Sequence, residues 1–139
     1  MKKMLPLLWA ALLALSSCAG SDDPQPAPTP APLLAKWEGV STRQVDTAPS
    51  GAVTYDQTTP YPASSYFLEF TATEVLVYSG TSVSKRFAYT RTGNTLTPTP
   101  AVPGDTPQEI KELTVSRLVL TSTAAAGANT RTLTTTYSR

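Results

Sequence analysis

The chain is 139 residues long, with 11 basic and 10 acidic side chains, one cysteine and no histidine. Lack of histidine excludes Ser-His-Asp, Cys-His and zinc-histidine sites, which need an imidazole as base or ligand, and a lone cysteine excludes Cys-x-x-Cys chemistry. The near-neutral balance offers no basic surface for nucleic acid, and no P-loop or G-x-G-x-x-G pattern occurs. Paired carboxylates remain available in principle from Glu38, Asp46, Asp56, Glu69, Glu74, Asp105, Glu109 and Glu112. Most of these fall in turns or on polar strand faces, where they read as solvated charge, so no catalytic residue, metal ligand or cofactor is assigned.

Met1-Lys2-Lys3 is a basic start, Met4 to Leu15 is an apolar run broken only by Pro6, and Leu15-Ser16-Ser17 leads into Cys18. A membrane-spanning helix needs about 20 apolar residues. This shorter run, with its basic flank and small residues before the cysteine, has the layout of a secretory signal. Its last four residues resemble the lipobox of bacterial lipoprotein precursors. That resemblance implies cleavage after residue 17, acyl chains on Cys18 and attachment to a bilayer by lipid. Each buried methylene contributes ~0.8 kcal/mol, so about two chains make a stable anchor. Loss of Lys2 and Lys3 with the leader leaves nine basic and ten acidic side chains in the remaining 122 residues.

Residues 18–32 follow as a linker, with proline at every second position from Pro24 to Pro32. Such a segment forms neither helix nor strand ladder. As polyproline II at ~3.1 Å per residue it would space a domain roughly 25–30 Å from the membrane; a ligand for a proline-binding groove is the other reading. Asp22-Asp23, soon after the cysteine, is similar to signals that send some lipoproteins to the outer face of the outer membrane, and is equally a solvated linker start. Ala19 stands where some lipoproteins carry an aspartate that retains them in the inner membrane, a resemblance that favours the outer membrane, with the face left open.

From Leu33 the pattern is β, since apolar residues alternate with period two and no window carries helical spacing. Eight strands are expected, at Lys36–Val45, Ser65–Thr73, Glu74–Ser79, Ser84–Arg91, Asn94–Thr97, Glu109–Ser116, Leu118–Thr123 and Thr130–Ser138. Asp46 to Ser64, with Pro49, Gly51, Pro60 and Pro62, reads as a long loop, and Ala124 to Asn129 as a small-residue loop. Gly93-Asn94 has the form of a two-residue hairpin. In the last strand Leu133, Thr135 and Tyr137 share one face, opposite a row of threonines. All connections are local, which favours an antiparallel up-and-down barrel whose closure removes exposed edges over an immunoglobulin-like sandwich with Greek-key crossovers.

Residues 33–139 resemble a lipocalin-like domain of the small type found on bacterial lipoproteins. The resemblance is carried by Leu34-Ala35-Lys36-Trp37-Glu38-Gly39, by Tyr66-Phe67-Leu68-Glu69-Phe70, by Ile110-Lys111-Glu112-Leu113-Thr114 with Arg117-Leu118-Val119-Leu120, and by Tyr137-Ser138-Arg139. Lipocalins open on Gly-x-Trp; here Ala35 stands in the glycine position. The resemblance implies that Trp37 plugs the closed end of the barrel with Arg139 lying over it. It also implies that a small hydrophobic ligand is bound in the interior. The residues expected to line that interior are Tyr66, Leu68, Phe70, Leu76, Tyr78, Phe87, Tyr89, Leu133 and Tyr137. The same residues would also make a packed core. The other reading is then a surface interaction protein with a solid barrel and a docking patch on the Asp46–Ser64 loop.

Overall fold

A computed structural model describes residues 33–100 and 106–139; the leader, Cys18, the linker and the segment 101–105 lie outside the described residues. The strands are β1 (Lys36–Thr47), β2 (Val53–Pro60), β3 (Tyr66–Phe70), β4 (Glu74–Ser79), β5 (Ser82–Thr92), β6 (Thr95–Thr99), β7 (Gln108–Leu113), β8 (Arg117–Ala126) and β9 (Asn129–Ser138). Every pairing is antiparallel and joins neighbours in sequence, apart from β1 with β3 and the closing pair of β1 with β9. Eight strands, β1 and β3 to β9, therefore form the expected closed up-and-down barrel.

The long loop expected at Asp46–Ser64 is corrected by the structure, because it contains β2. β1 meets β3 only from Lys36 to Glu38, and from Ser41 to Thr47 that edge is taken by β2, with Ser41 opposite Pro60 and Thr47 opposite Val53. β2 is exposed at all eight positions. With no side chain turned to a core it carries no hydrophobic alternation, and ladder bonds hold it instead. Cross-strand contacts add to them: Arg43 donates to Asp56 at 2.8 and 2.6 Å, and the Thr54 hydroxyl donates to the Asp46 carbonyl at 3.1 Å. The loop expected at Ala124–Asn129 is likewise corrected: Ala124 to Ala126 continue β8, and the turn is only Gly127-Ala128. Gly127 (φ 63°) and Gly93 (φ 58°) each hold the first turn position of a two-residue hairpin. There the right-handed strand twist demands positive φ, a conformation glycine adopts without steric cost.

The ladder directions divide the barrel into two ends. The start of β1, the chain end and the turns at residues 71–73, 93–94 and 114–116 gather at one end. The hairpin tips at residues 48–52, 80–81 and 127–128 lie at the other, the mouth. Trp37 stoppers the first end, fully buried, with its indole N–H donating to the Leu33 carbonyl at 3.0 Å. The Arg139 guanidinium lies 5.1 Å from the indole centroid and its Nε donates to the Val115 carbonyl at 2.7 Å. Around Trp37 pack Leu68, Phe70, Val75, Leu96, Ile110, Leu118, Leu120 and Tyr137.

A bulge between Gly39 and Ser41 shifts the parity of β1, so that Trp37 and Gly39 face inward at the foot and Thr42, Gln44 and Asp46 face inward above. Opposite them on β9 stand Tyr137, Thr135, Leu133 and Arg131. The wall formed by β2, β1, β9 and β8 extends past the start of β3, since its ladders continue to Thr47–Thr130 and Ala126–Asn129.

Candidate ligand-binding cavity

The closed ring leaves a cavity of about 340 Å³, partly open to solvent, above the Trp37 layer. Interiors are normally packed with few voids larger than a water molecule, and small-molecule sites run from about 300 to 1,000 Å³. The volume sits at the small end of ligand sites.

Seven of the residues expected to line the interior do line the cavity: Tyr66, Leu68 and Phe70 from β3, Phe87 and Tyr89 from β5, and Leu133 and Tyr137 from β9. Tyr78 is corrected, and Leu76 with it. The inward residues of β4 are Val75 and Val77, which places the even-numbered positions on the outer face. Out there the Tyr78 hydroxyl donates to Glu69 at 2.6 Å and the Lys36 ammonium lies 4.0 Å from its ring. Val75, Val77, Lys85, Leu96, Pro98, Thr106, Gln108 and Ser122 also line the cavity and were not assigned to it from sequence. The valines could have been found from the Leu68–Val77 register, had that register been known. Polar Gln108 and Ser122 carry no sequence signal for an interior position.

Three tyrosines form the upper side of the core. Tyr61 stacks on Tyr66 with centroids 4.8 Å apart, and Tyr66 meets Tyr137 at 6.3 Å. The stack lies over Gly39, where a Cβ would come within 2.7 Å of Tyr66 Cδ1 and 3.1 Å of Tyr61 Cδ2. Glycine is therefore required at that step of β1 by close approach alone. Burial pushes the Tyr137 hydroxyl well above the ordinary tyrosine range, and the neighbouring Tyr66 and Tyr61 add to the shift. Tyr66 is raised chiefly by burial and secondarily by Tyr61. Tyr89 is raised by burial, and its hydroxyl donates to the Thr71 carbonyl at 2.9 Å. These phenols hold their protons at neutral pH and present neutral hydroxyls and aromatic faces.

Above the tyrosines the inner face of the tall wall is polar. Thr42 Oγ1 is 2.9 Å from both the Tyr61 hydroxyl and Thr135 Oγ1. Arg131 grips Asp46 with two hydrogen bonds of 2.9 and 2.8 Å, and Gln44 Nε2 adds contacts at 3.2 Å. The Arg131 hydrogen bond is the main reason the Asp46 carboxyl sits below the usual carboxylate range. The pair neutralises itself, so it adds little net charge to the mouth.

Among the described residues no group of histidine, cysteine or carboxylate side chains is arranged to hold a metal ion, and no helix is long and apolar enough to cross a membrane. The lining supplies aliphatic and aromatic surface with a few hydrogen-bond donors, a composition suited to holding an apolar molecule without covalent change. No family model, curated protein or solved structure matches the chain, so the geometry of the barrel alone carries the functional argument.

Proposed function

We propose that this protein is a lipid-anchored, lipocalin-like binding module that carries a small hydrophobic molecule in its barrel and performs no catalysis. The observation supporting the reading is the 340 Å³ cavity walled by Tyr66, Leu68, Phe70, Phe87, Tyr89 and Leu133. Burial of apolar surface there would drive association at ~25 cal/mol per Å² removed from water, before the entropy lost on binding is subtracted. A solid-core interaction protein fits less well, because it would fill that volume with side chains. The anchor is assigned to Cys18 on its Leu-Ser-Ser-Cys context, and the outer membrane on the residues after it.

Two measurements test this. Protein released from its membrane and analysed by native mass spectrometry should carry an additional small-molecule mass, or bind the neutral dye N-phenylnaphthylamine saturably with one site per chain. Empty spectra together with non-saturable dye partitioning would defeat the binding reading. Cells grown with labelled palmitate should yield labelled protein, and Cys18→Ala should abolish the label.

A further inference from the structure

β2 is the end strand of the sheet: among the described residues it pairs with β1 and with no other strand. The phase of that ladder is fixed by the Tyr61 N–H, which donates to the Val40 carbonyl at 2.9 Å, one step beyond the Ser41–Pro60 pair. Backbone groups alternate in direction along an antiparallel strand. Thr59, Gln57 and Tyr55 therefore turn their amides toward β1, whereas Asp56, Thr58 and Pro60 turn theirs to the open edge. Pro60 sits where its missing N–H costs the β1 ladder nothing. Together with the bulge at Asp46–Thr47 it limits the open edge to residues 55–59. Within those five residues the usual guards against pairing are absent. Edges are commonly blunted by lysine, by inward charge or by a covering loop. β2 has no lysine or arginine, and all its side chains are exposed. Its one carboxylate, Asp56, is already held by Arg43 at 2.8 and 2.6 Å.

We propose that the open edge of β2 is a docking edge for a second copy of this chain, the two β2 strands pairing antiparallel about a two-fold axis at Gln57. The inference stands apart from the cavity reading and needs neither a ligand nor a lipid. What selects a second copy is that the edge complements itself in one register. A symmetric pairing uses the same patch on both subunits and centres on one residue. Centring on Asp56 would set its carboxylate opposite its own copy, which is unfavourable. Centring on Thr58 would set Asp56 opposite Pro60 of the second copy, leaving the Asp56 carbonyl without an N–H. Centring on Gln57 sets Asp56 opposite Thr58 of the second copy on both sides of the axis. Four ladder hydrogen bonds then use every outward N–H and C=O of these residues, and each carboxylate faces a hydroxyl donor. On the inner face Tyr55, 42% exposed, comes beside Thr59 of the second copy, an aromatic and β-branched pair of the kind that stabilises sheets. One sheet then runs from β9 and β1 of one copy through both β2 strands into the other.

So short a ladder is a small interface, and complexes burying less than ~1,200 Å² are weak and transient. The test is therefore disulfide trapping, on the full-length exported protein in detergent with copper phenanthroline as oxidant. Tyr55→Cys, Gln57→Cys and Thr59→Cys are compared at one concentration. In the proposed register residue 57 faces its own copy with Cα atoms ~4.5 Å apart, within the span of a disulfide. Residues 55 and 59 lie four positions from theirs, ~13 Å along the strand, beyond that span. Gln57→Cys should give at least about fivefold more linked dimer than the other two, as expected where one site alone meets the distance limit. Mass spectrometry should map the bridge to residue 57 on both chains. Adding Thr58→Pro removes an N–H that bonds nothing within one copy, so it should abolish the bridge and leave the melting curve unchanged. Equal trapping at the three positions, or no bridge at residue 57, would overturn the proposal; an edge covered by the linker or by a different protein gives the second result. Unfolding of the Thr58→Pro variant would show that its amide serves β1, and would overturn the edge assignment itself.

Discussion

The last residue of the chain covers the first buried side chain of the barrel: Arg139 lies 5.1 Å from the Trp37 ring centroid while its Nε holds the Val115 carbonyl. One side chain thereby ties the start of β1, the end of β9 and the β7–β8 turn together at the closed end. A cation over an indole contributes ~0.5–2 kcal/mol. Arg139→Ala is expected to lower the midpoint of thermal unfolding by roughly 4–8 °C, the shift that about 1 kcal/mol produces in a domain near 100 residues. A melting curve identical to the native one would show that the contact carries no weight.

Gly39 is expected to tolerate no side chain. The added methyl of Gly39→Ala would press on the Tyr66 ring at 2.7 Å, and overpacking of this kind costs about 1–3 kcal/mol. Because the obstacle is one ring, the penalty should fall by at least about half when Gly39→Ala is placed in a Tyr66→Leu background. Denaturant unfolding of the four proteins in that cycle measures the coupling. Additive effects would mean that the strain is in the backbone and not at the tyrosine.

Stability should fall at both extremes of pH, for separate reasons. Tyr137 is raised in the fold, so the native state holds this proton more firmly than the unfolded chain, whose tyrosines titrate near about 10. Its contribution is intact below that value and is lost as pH climbs toward the higher native value. Asp46 is lowered by Arg131, and its contribution is present above the ordinary carboxylate pKa of about 3.9 and lost as pH drops through the native value. Tyr137→Phe should flatten only the alkaline limb of a stability profile, and Asp46→Asn only the acid limb.

Filling the cavity should separate binding from stability. Leu133→Trp projects an indole into the space from β9 and is expected to weaken N-phenylnaphthylamine binding by about tenfold or more, with little loss of thermal stability, since the space is already there. Tyr78→Phe, on the outer face, should leave dye affinity unchanged. If Tyr78→Phe weakened the dye as much as Leu133→Trp, the dye site would not be the barrel interior.

The legible parts of the fold were those where the two faces of a strand differ in chemistry. On β9 leucine and tyrosine alternate with threonine, and Leu133 and Tyr137 are inward as expected. On β5 Phe87 and Tyr89 are inward for the same reason. β4 is ambiguous in sequence because both of its faces are apolar. Val75 and Val77 compete with Leu76 and Tyr78, and aromatic size favoured the wrong pair; Glu69 and Lys36, which hold Tyr78 outside, come from other strands. β2 was invisible because a strand that buries nothing has no hydrophobic period, and what recruits it is the edge of β1 left open beyond Glu38, where the ladder with β3 ends. The alanines of β8 were passed over on propensity, yet pairing with β9 carries them to a glycine turn. Gln108 and Ser122 were not legible as lining residues, because polar side chains carry no inward signal and the β7–β8 hairpin that pairs them is shifted by a bulge between Ile110 and Glu112.

A cylinder parts along its poorest stitching. β6 and β7 share only two residue pairs among the described residues, Thr95 with Glu109 and Leu96 with Gln108, whereas β8 and β9 are knitted over ten. Thermal breathing will therefore begin along that seam, beside the residues that face the interior from β6 and β7. Under the proposed binding function, cross-bracing those two strands is expected to slow ligand release without altering the residues that line the cavity.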